Sequence, residues 1–147
     1  QKHTFTERGL GSTVRVFCKV CTENGLLTHG QCEYFLKAYE KYSSDESLRP
    51  TLILYFKLPT QEALARITRR AAREDREFEK DIPLSYLKQL HCAYDEFLSN
   101  HEDVILIDSN NPVEDMMVEI AGRVEEKLRS RVAPQDLRSI MRCFEVD

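Results

Sequence analysis

Thr51–Lys57, TLILYFK, decides the fold class. Pro50 and Pro59 bracket it, and its apolar side chains follow one another without polar alternation. That is the pattern of a strand buried on both faces of a parallel sheet. Val104–Ile107, VILI, is a second run of this kind, and Lys2–Thr6 is a weaker third. Between and after the runs the periodicity turns helical. Cys32, Phe35, Leu36, Tyr39 and Tyr42 make an apolar stripe opened by the Asn24-Gly25 turn signal, and Ser43–Pro50 reads as a polar loop. Thr60 is placed to cap a helix that turns Leu64, Ile67 and Ala71 inward. Asp81 and Pro83 open another, with Leu84, Leu87, Leu90, Tyr94 and Leu98 on one face. After Asn110-Asn111-Pro112 comes a stripe of Val113, Met116, Met117, Ile120, Val124 and Leu128, in which the methionines read as core filler. Glu114 and Asp115 suit the positive end of that helix, and Lys127, Arg129 and Arg131 the negative end. Residues 133–147 carry Leu137, Ile140, Met141 and Phe144 at helical spacing and read as a helical tail that docks or pairs with another surface.

Strands alternating with helices predict an α/β fold, a parallel sheet covered by helices on both faces. Ligands of such sheets gather beyond the carboxyl ends of the strands. Three segments follow the three runs: Glu7-Arg8, the helix leading into Arg66–Leu87, and Asp108–Asn111. A Glu-Arg pair, an arginine-rich lid and an Asn-rich turn meeting at one sheet edge form the profile of a phosphate-handling site.

The lid candidate is RITRRAAREDREFEKDIPLSYL, Arg66–Leu87. Arg66, Arg69, Arg70, Arg73 and Arg76 recur every three or four residues, so a helix presents them on neighbouring faces. Guanidinium forks suit phosphate oxygens because they donate paired hydrogen bonds and keep their charge. The competing reading is a solvated helix face laced with Glu–Arg pairs.

Composition narrows the class. At 147 residues the chain is one domain or a large piece of one, and 41% hydrophobic with 31% charged residues is globular composition. A net charge of −4 excludes a body built to bind nucleic acid, and no apolar run approaches a membrane span. The five cysteines, an odd number, point to reduced thiols in an intracellular compartment. Cys18-Lys-Val-Cys21 has the spacing of half a zinc site, but no second pair completes it, and the four histidines share no ligand spacing.

In segment order these residues resemble the deoxynucleoside kinases of the mitochondrial thymidine kinase and insect multisubstrate type. Thr4–Phe17 looks like the family's strand ending in Glu-Arg-Ser and the helix after it. Val16–Tyr42 is similar to its Asn-Gly turn and aromatic-rich helix, Leu52–Leu98 to its strand, LID and following helix, and Val104–Asn111 to the strand and loop over the adenine of ATP. The resemblance implies a P-loop-kinase-like fold, with residues 1–132 as the C-terminal part of the kinase domain and the LID near residues 66–82. It implies ATP with Mg²⁺, a deoxynucleoside substrate, a homodimer, and a cytoplasmic or mitochondrial location. Residue by residue, Glu7 and Arg8 match the Glu-Arg pair that holds the reacting groups. Arg70, Arg73 and Arg76 match LID arginines closing over the ATP phosphates. Glu79 matches the glutamate on the sugar 3′-hydroxyl, and Asp108, Ser109, Asn110 and Asn111 match the loop against adenine.

The departures are specific. Gly9 stands where the family has Ser, and Thr13 stands at a base-selecting position held by Asp or Ala in other members, so the preferred base stays open. Val14 and Arg15 replace an Arg-Tyr order. The LID holds about one helical turn more than the common spacing. Counting forward from Arg66 selects Arg70 and Asp75, and counting back from Ile82-Pro83 selects Arg76 and Glu79; the longer motif favours the second. No GxxxxGK[ST] loop occurs within the sequence. The expectation is therefore the C-terminal portion of a deoxynucleoside kinase, whose P-loop and general base precede Gln1 and which is not a working kinase by itself. The alternative is a non-catalytic pseudokinase or dimerisation module. A nucleoside monophosphate kinase is a third reading, disfavoured by Glu79-Lys80-Asp81-Ile82-Pro83.

Overall fold

Ile53–Lys57 and Val104–Asp108 pair as parallel strands β1 and β2, with Ile53 opposite Val104 and Lys57 opposite Asp108. The computed structural model describes residues 4–45, 50–99 and 101–144, and among these the sheet has two strands. Contacts divide the chain into a sheet unit (residues 1–6, 51–58 and 102–147) and a helical unit (residues 7–50 and 59–101).

In the sheet unit, α6 (Val113–Leu128) and α7 (Pro134–Met141) supply the apolar stripe that the strands lack on their own. Ile105 and Ile107 are buried with Ile120, Val124, Leu128 and Ile140, and Leu52, Leu54, Met116, Leu137 and Phe144 pack around them. Each fully buried aliphatic side chain of this set contributes about 1.5–3 kcal/mol relative to exposure. Polar contacts fix the register of helix on strand. Lys127 Nζ donates to the Glu102 carbonyl at 3.0 Å, Arg131 pairs with Asp103, and Arg123 reaches the Leu106 carbonyl.

Two expectations are corrected here. Thr4–Thr6 carries no strand, and Lys2 and His3 lie outside the described residues. Thr-Phe-Thr offers one large apolar side chain, and Phe5 spends it edge-on against Phe144 at 5.9 Å, not on a sheet partner. Nor are all the strand side chains buried: Phe56 is 50% and Leu106 48% exposed. Helices α6 and α7 cover the Leu54–Ile105–Ile107 face, whereas Leu106 points the other way.

The helical unit is built around one continuous helical stretch: α1 (Leu10–Ser12), a π-helix over Thr13–Cys18, and α2 (Lys19–Glu23). α3 (His29–Ser43) and α5 (Leu84–Leu98) both pack on the π-helix. Val16, Val20 and Ala93 are buried there, with Phe17, Tyr86, Leu90, Tyr94 and Phe97 around them. α2 ends as the Asn24-Gly25 signal requires. Gly25 takes φ +72°, which costs a glycine nothing, and Leu26 N–H returns to the Cys21 carbonyl at 2.8 Å. α3 starts on a capping box: Thr28 Oγ1 accepts from Gln31 N–H while Gln31 Oε1 accepts from Thr28 N–H. No residue of α3 is fully buried, so the stripe from Cys32 to Tyr42 lies at the margin of the core, with Phe35 and Tyr42 about half exposed. α4 (Thr60–Arg73) turns Ala71 fully inward and packs on α5. Its N-cap is Pro59, not Thr60, which is already the first helical residue and makes no capping bond. Part of the Ser43–Pro50 loop, residues 46–49, lies outside the described residues.

Candidate functional site

α4 stops at Arg73, and the chain reverses at Asp75, which takes a left-handed φ of 52°. Arg76 N–H donates to the Ala71 carbonyl at 3.1 Å, tying the reversed segment to the helix it has just left. Ala71 has no bulk to oppose that approach. A short 3-10 turn, Glu77–Glu79, then carries Glu79 back alongside the last turn of α4.

There Glu79 is held by two arginines. Arg70 forks onto it, Nε donating to Oε2 at 3.0 Å and Nη2 to Oε1 at 3.0 Å, with Nη2 also 2.9 Å from Oε2. Arg76 Nη1 donates to Oε1 at 2.8 Å. The carboxylate side chain is only 9% exposed, while the two guanidiniums keep 46% and 39% of their surface in solvent. A buried carboxylate has to be paired, and here it is paired twice. Two positive charges against one negative leave a cationic cluster with its acid inside and its guanidiniums at the surface. Arg76 also lies 5.7 Å from the ring of the exposed Phe78.

Arg73 stays out of this cluster; it is 80% exposed and pairs with the neighbouring Glu74 at 3.2 Å. Arg66 and Arg69 both reach Glu62, at 3.1 and 3.0 Å, an ion-pair network on the helix surface of the kind that contributes little to stability. Asp75, selected by the forward count through the LID, is exposed at the turn. Helical spacing alone thus flags Arg70, Arg73 and Arg76 equally, and the fold separates them.

In the same unit Glu7 and Arg8 form a surface pair at 3.3 Å. Arg8 takes φ 67° and sets its guanidinium 5.1 Å from the Phe17 ring centre, a cation–π contact. Thr13 is exposed and opens the π-helix, its hydroxyl directed at the Gly9 carbonyl at 3.4 Å. π turns widen a helix and recur at binding sites, and no sequence signal marks this one. Arg15 lies 5.7 Å from the Tyr39 ring, a contact the sequence reading did not anticipate.

Asp108–Asn111 belongs to the sheet unit. Asp108 Oδ1 accepts from Asn110 N–H at 2.9 Å, an Asx turn that closes the loop without help from another element. Ser109 is buried, and its N–H donates to the Lys57 carbonyl at 2.9 Å, which pins the loop to the end of β1. Asp108, Asn110 and Asn111 are exposed.

Among the described residues, no three His, Cys, Asp or Glu side chains stand close enough to hold a metal ion. Burial pushes the Cys18 thiol up, and Cys32 and Cys21 nearby push it further, so it is a poor thiolate. No described helix is long and apolar enough to cross a membrane.

The family model described as deoxynucleoside kinase matches residues 1–133, and the chain belongs to that family. It is 32% identical over 133 residues to a thymidine kinase of Ictalurid herpesvirus 1, covering 88% of this chain and 56% of that protein. It is 35% identical over 85 residues to a deoxyadenosine kinase of Dictyostelium discoideum, covering 58% of this chain and 33% of that protein. A putative kinase, 029R, of Invertebrate iridescent virus 3 is 26% identical over 126 residues, covering 86% of this chain and 58% of that protein. The chain therefore spans little more than half the length of these relatives at most. No solved structure matches it.

Proposed function

We propose that these residues form the C-terminal portion of an ATP-dependent deoxynucleoside kinase, which transfers the γ-phosphoryl group of ATP to the 5′-hydroxyl of a deoxynucleoside in nucleotide salvage. Family membership over residues 1–133 supports the reaction class. The observation that carries the reading is the buried Glu79 carboxylate clasped by Arg70 and Arg76. It combines an acid able to accept from a sugar hydroxyl with guanidiniums able to meet phosphate.

In this reading Arg8 and the LID arginines Arg70, Arg73 and Arg76 supply the positive field for the transferring group. Phosphoryl transfer needs positioning and charge stabilisation more than covalent help from the protein. Glu79 orients the deoxyribose through its 3′-hydroxyl, Glu7 steadies the Arg8 turn, and Thr13 faces the base. Asp108, Ser109, Asn110 and Asn111 lie against adenine, chiefly through backbone groups. Mg²⁺ enters with ATP. The complete protein is a homodimer, acts in the cytoplasm or mitochondrion, and takes no nucleic-acid or membrane partner.

The test is phosphoryl transfer by the native full-length protein, with its intact mass and N-terminal sequence determined in parallel. Label passing from γ-labelled ATP to the 5′ position of a deoxynucleoside, by a chain with a GxxxxGK[ST] loop upstream of Gln1, is the expected result. A native chain of 17.2 kDa beginning at Gln1, with no transfer, would leave a non-catalytic module.

A further inference from the structure

Within that reading, the contacts around Glu79 divide the LID arginines into two kinds. An ionised carboxylate has about four lone-pair positions. The Arg70 fork reaches both oxygens, with Nη2 also 2.9 Å from Oε2, whereas Arg76 donates to Oε1 alone. The two arginines also differ in how they are mounted. Arg70 stands in the last turn of α4, a helix of 14 residues that packs on α5. Arg76 stands between the left-handed Asp75 and the 3-10 turn, holds Glu79 by one bond, and shares its surface with the exposed ring of Phe78.

An arriving polyphosphate competes with Glu79 for guanidinium. Detaching Arg70 breaks a bidentate, charge-assisted fork and strips a carboxylate that is 9% exposed. Detaching Arg76 breaks one bond and leaves Glu79 still paired. We infer that Arg70 is a positioning residue that acts through Glu79 on the deoxynucleoside, and that Arg76 is the LID arginine that exchanges Glu79 for the ATP phosphates. Arg70 fixes the orientation of the carboxylate; Arg76 couples phosphate arrival to the loss of one restraint on the same acid.

This rests on the deoxynucleoside kinase reading, and the experiment separates the two. In the full-length protein, Arg70→Lys keeps the charge and removes the fork. The KM for the deoxynucleoside is expected to rise about tenfold or more, while the KM for ATP stays within about twofold. Combined with Glu79→Gln, Arg70→Lys is expected to add little, because its effect passes through the acid. If Arg70→Lys does not fold, Arg76→Lys gives the reciprocal pattern, a raised ATP KM with a nearly constant deoxynucleoside KM. A raised ATP KM in Arg70→Lys, a raised deoxynucleoside KM in Arg76→Lys, or full additivity in the double variant overturns the inference. A wild-type protein that phosphorylates no deoxynucleoside removes the functional reading and the inference with it.

Discussion

The Arg70 guanidinium and the Glu79 carboxylate meet as a fork across nine positions of sequence, with both bonds at 3.0 Å. Nine residues is no helical spacing, and the contact exists because the chain reverses at Asp75. Glu79→Ala removes the acceptor and leaves two guanidiniums facing each other, both still partly hydrated. The expected outcome is a deoxynucleoside KM raised about ten- to a hundredfold with a small change in Tm. Steady-state kinetics of the full-length protein check it, and an unchanged deoxynucleoside KM moves the sugar contact to another residue.

Arg8 is exposed on a left-handed turn and touches Phe17. Arg8→Ala is expected to lower turnover about a hundredfold or more, the scale seen when one preorganised charge is removed from a transition state. Thermal unfolding should shift little, since a surface cation–π contact contributes about 0.5–1 kcal/mol. Turnover at the wild-type level takes Arg8 out of the site.

Thiol reactivity should follow burial. Cys92 and Cys143 are exposed, whereas Cys18 is buried, and its thiol is pushed up by that burial. With a maleimide or iodoacetamide at mildly alkaline pH, Cys92 and Cys143 are expected to label first and Cys18 last. Peptide mapping over time reads the order. Cys18→Ser should also leave metal content unchanged, and loss of bound zinc would restore Cys18-Lys-Val-Cys21 as a ligand pair.

The two sides of β2 predict opposite mutational costs. Ile107 is fully buried on the helix-packed face, while Leu106 is half exposed. Ile107→Ala is expected to cost about 2–5 kcal/mol through lost burial and a cavity. Leu106→Ala should cost under about 1 kcal/mol if that face is open to solvent in the full-length protein. Denaturant titration distinguishes them, and a large cost at Leu106 shows the face to be covered there.

The capping box at the start of α3 is a local test. Thr28→Ala removes the acceptor for Gln31 N–H and should cost about 1 kcal/mol. Hydrogen exchange in the first turn of α3 should rise, and unchanged protection would mean that packing alone holds that end.

What could be read beforehand depended on how local the signal was. β1 and β2 are short apolar runs, so they could be read as strands from their own residues, whereas their pairing with each other came only from the structure. The Asn24-Gly25 stop was legible because the left-handed position of Gly25 is a property of one residue. Thr4–Thr6 was misread because three alternating residues resemble a strand whether or not a partner edge exists. Thr60 was misread as a cap because Pro59 pre-sets the helical entry one residue earlier. The π turn at Thr13–Cys18 depends on helices packed against it from elsewhere, and nothing in TVRVFC announces it. Between Arg66 and Ile82, regular spacing marked the arginines as candidates, but only the turn at Asp75 decided that Arg70 and Arg76 hold Glu79 while Arg73 faces solvent.

The most direct measurement offers the full-length protein γ-labelled ATP with two acceptor panels, deoxynucleosides and deoxynucleoside monophosphates. A deoxynucleoside kinase transfers the label to the 5′-hydroxyl of at least one deoxynucleoside and to none of the monophosphates. Label appearing only in diphosphates would make the protein a nucleoside monophosphate kinase, and no transfer to either panel would leave a non-catalytic member of the family.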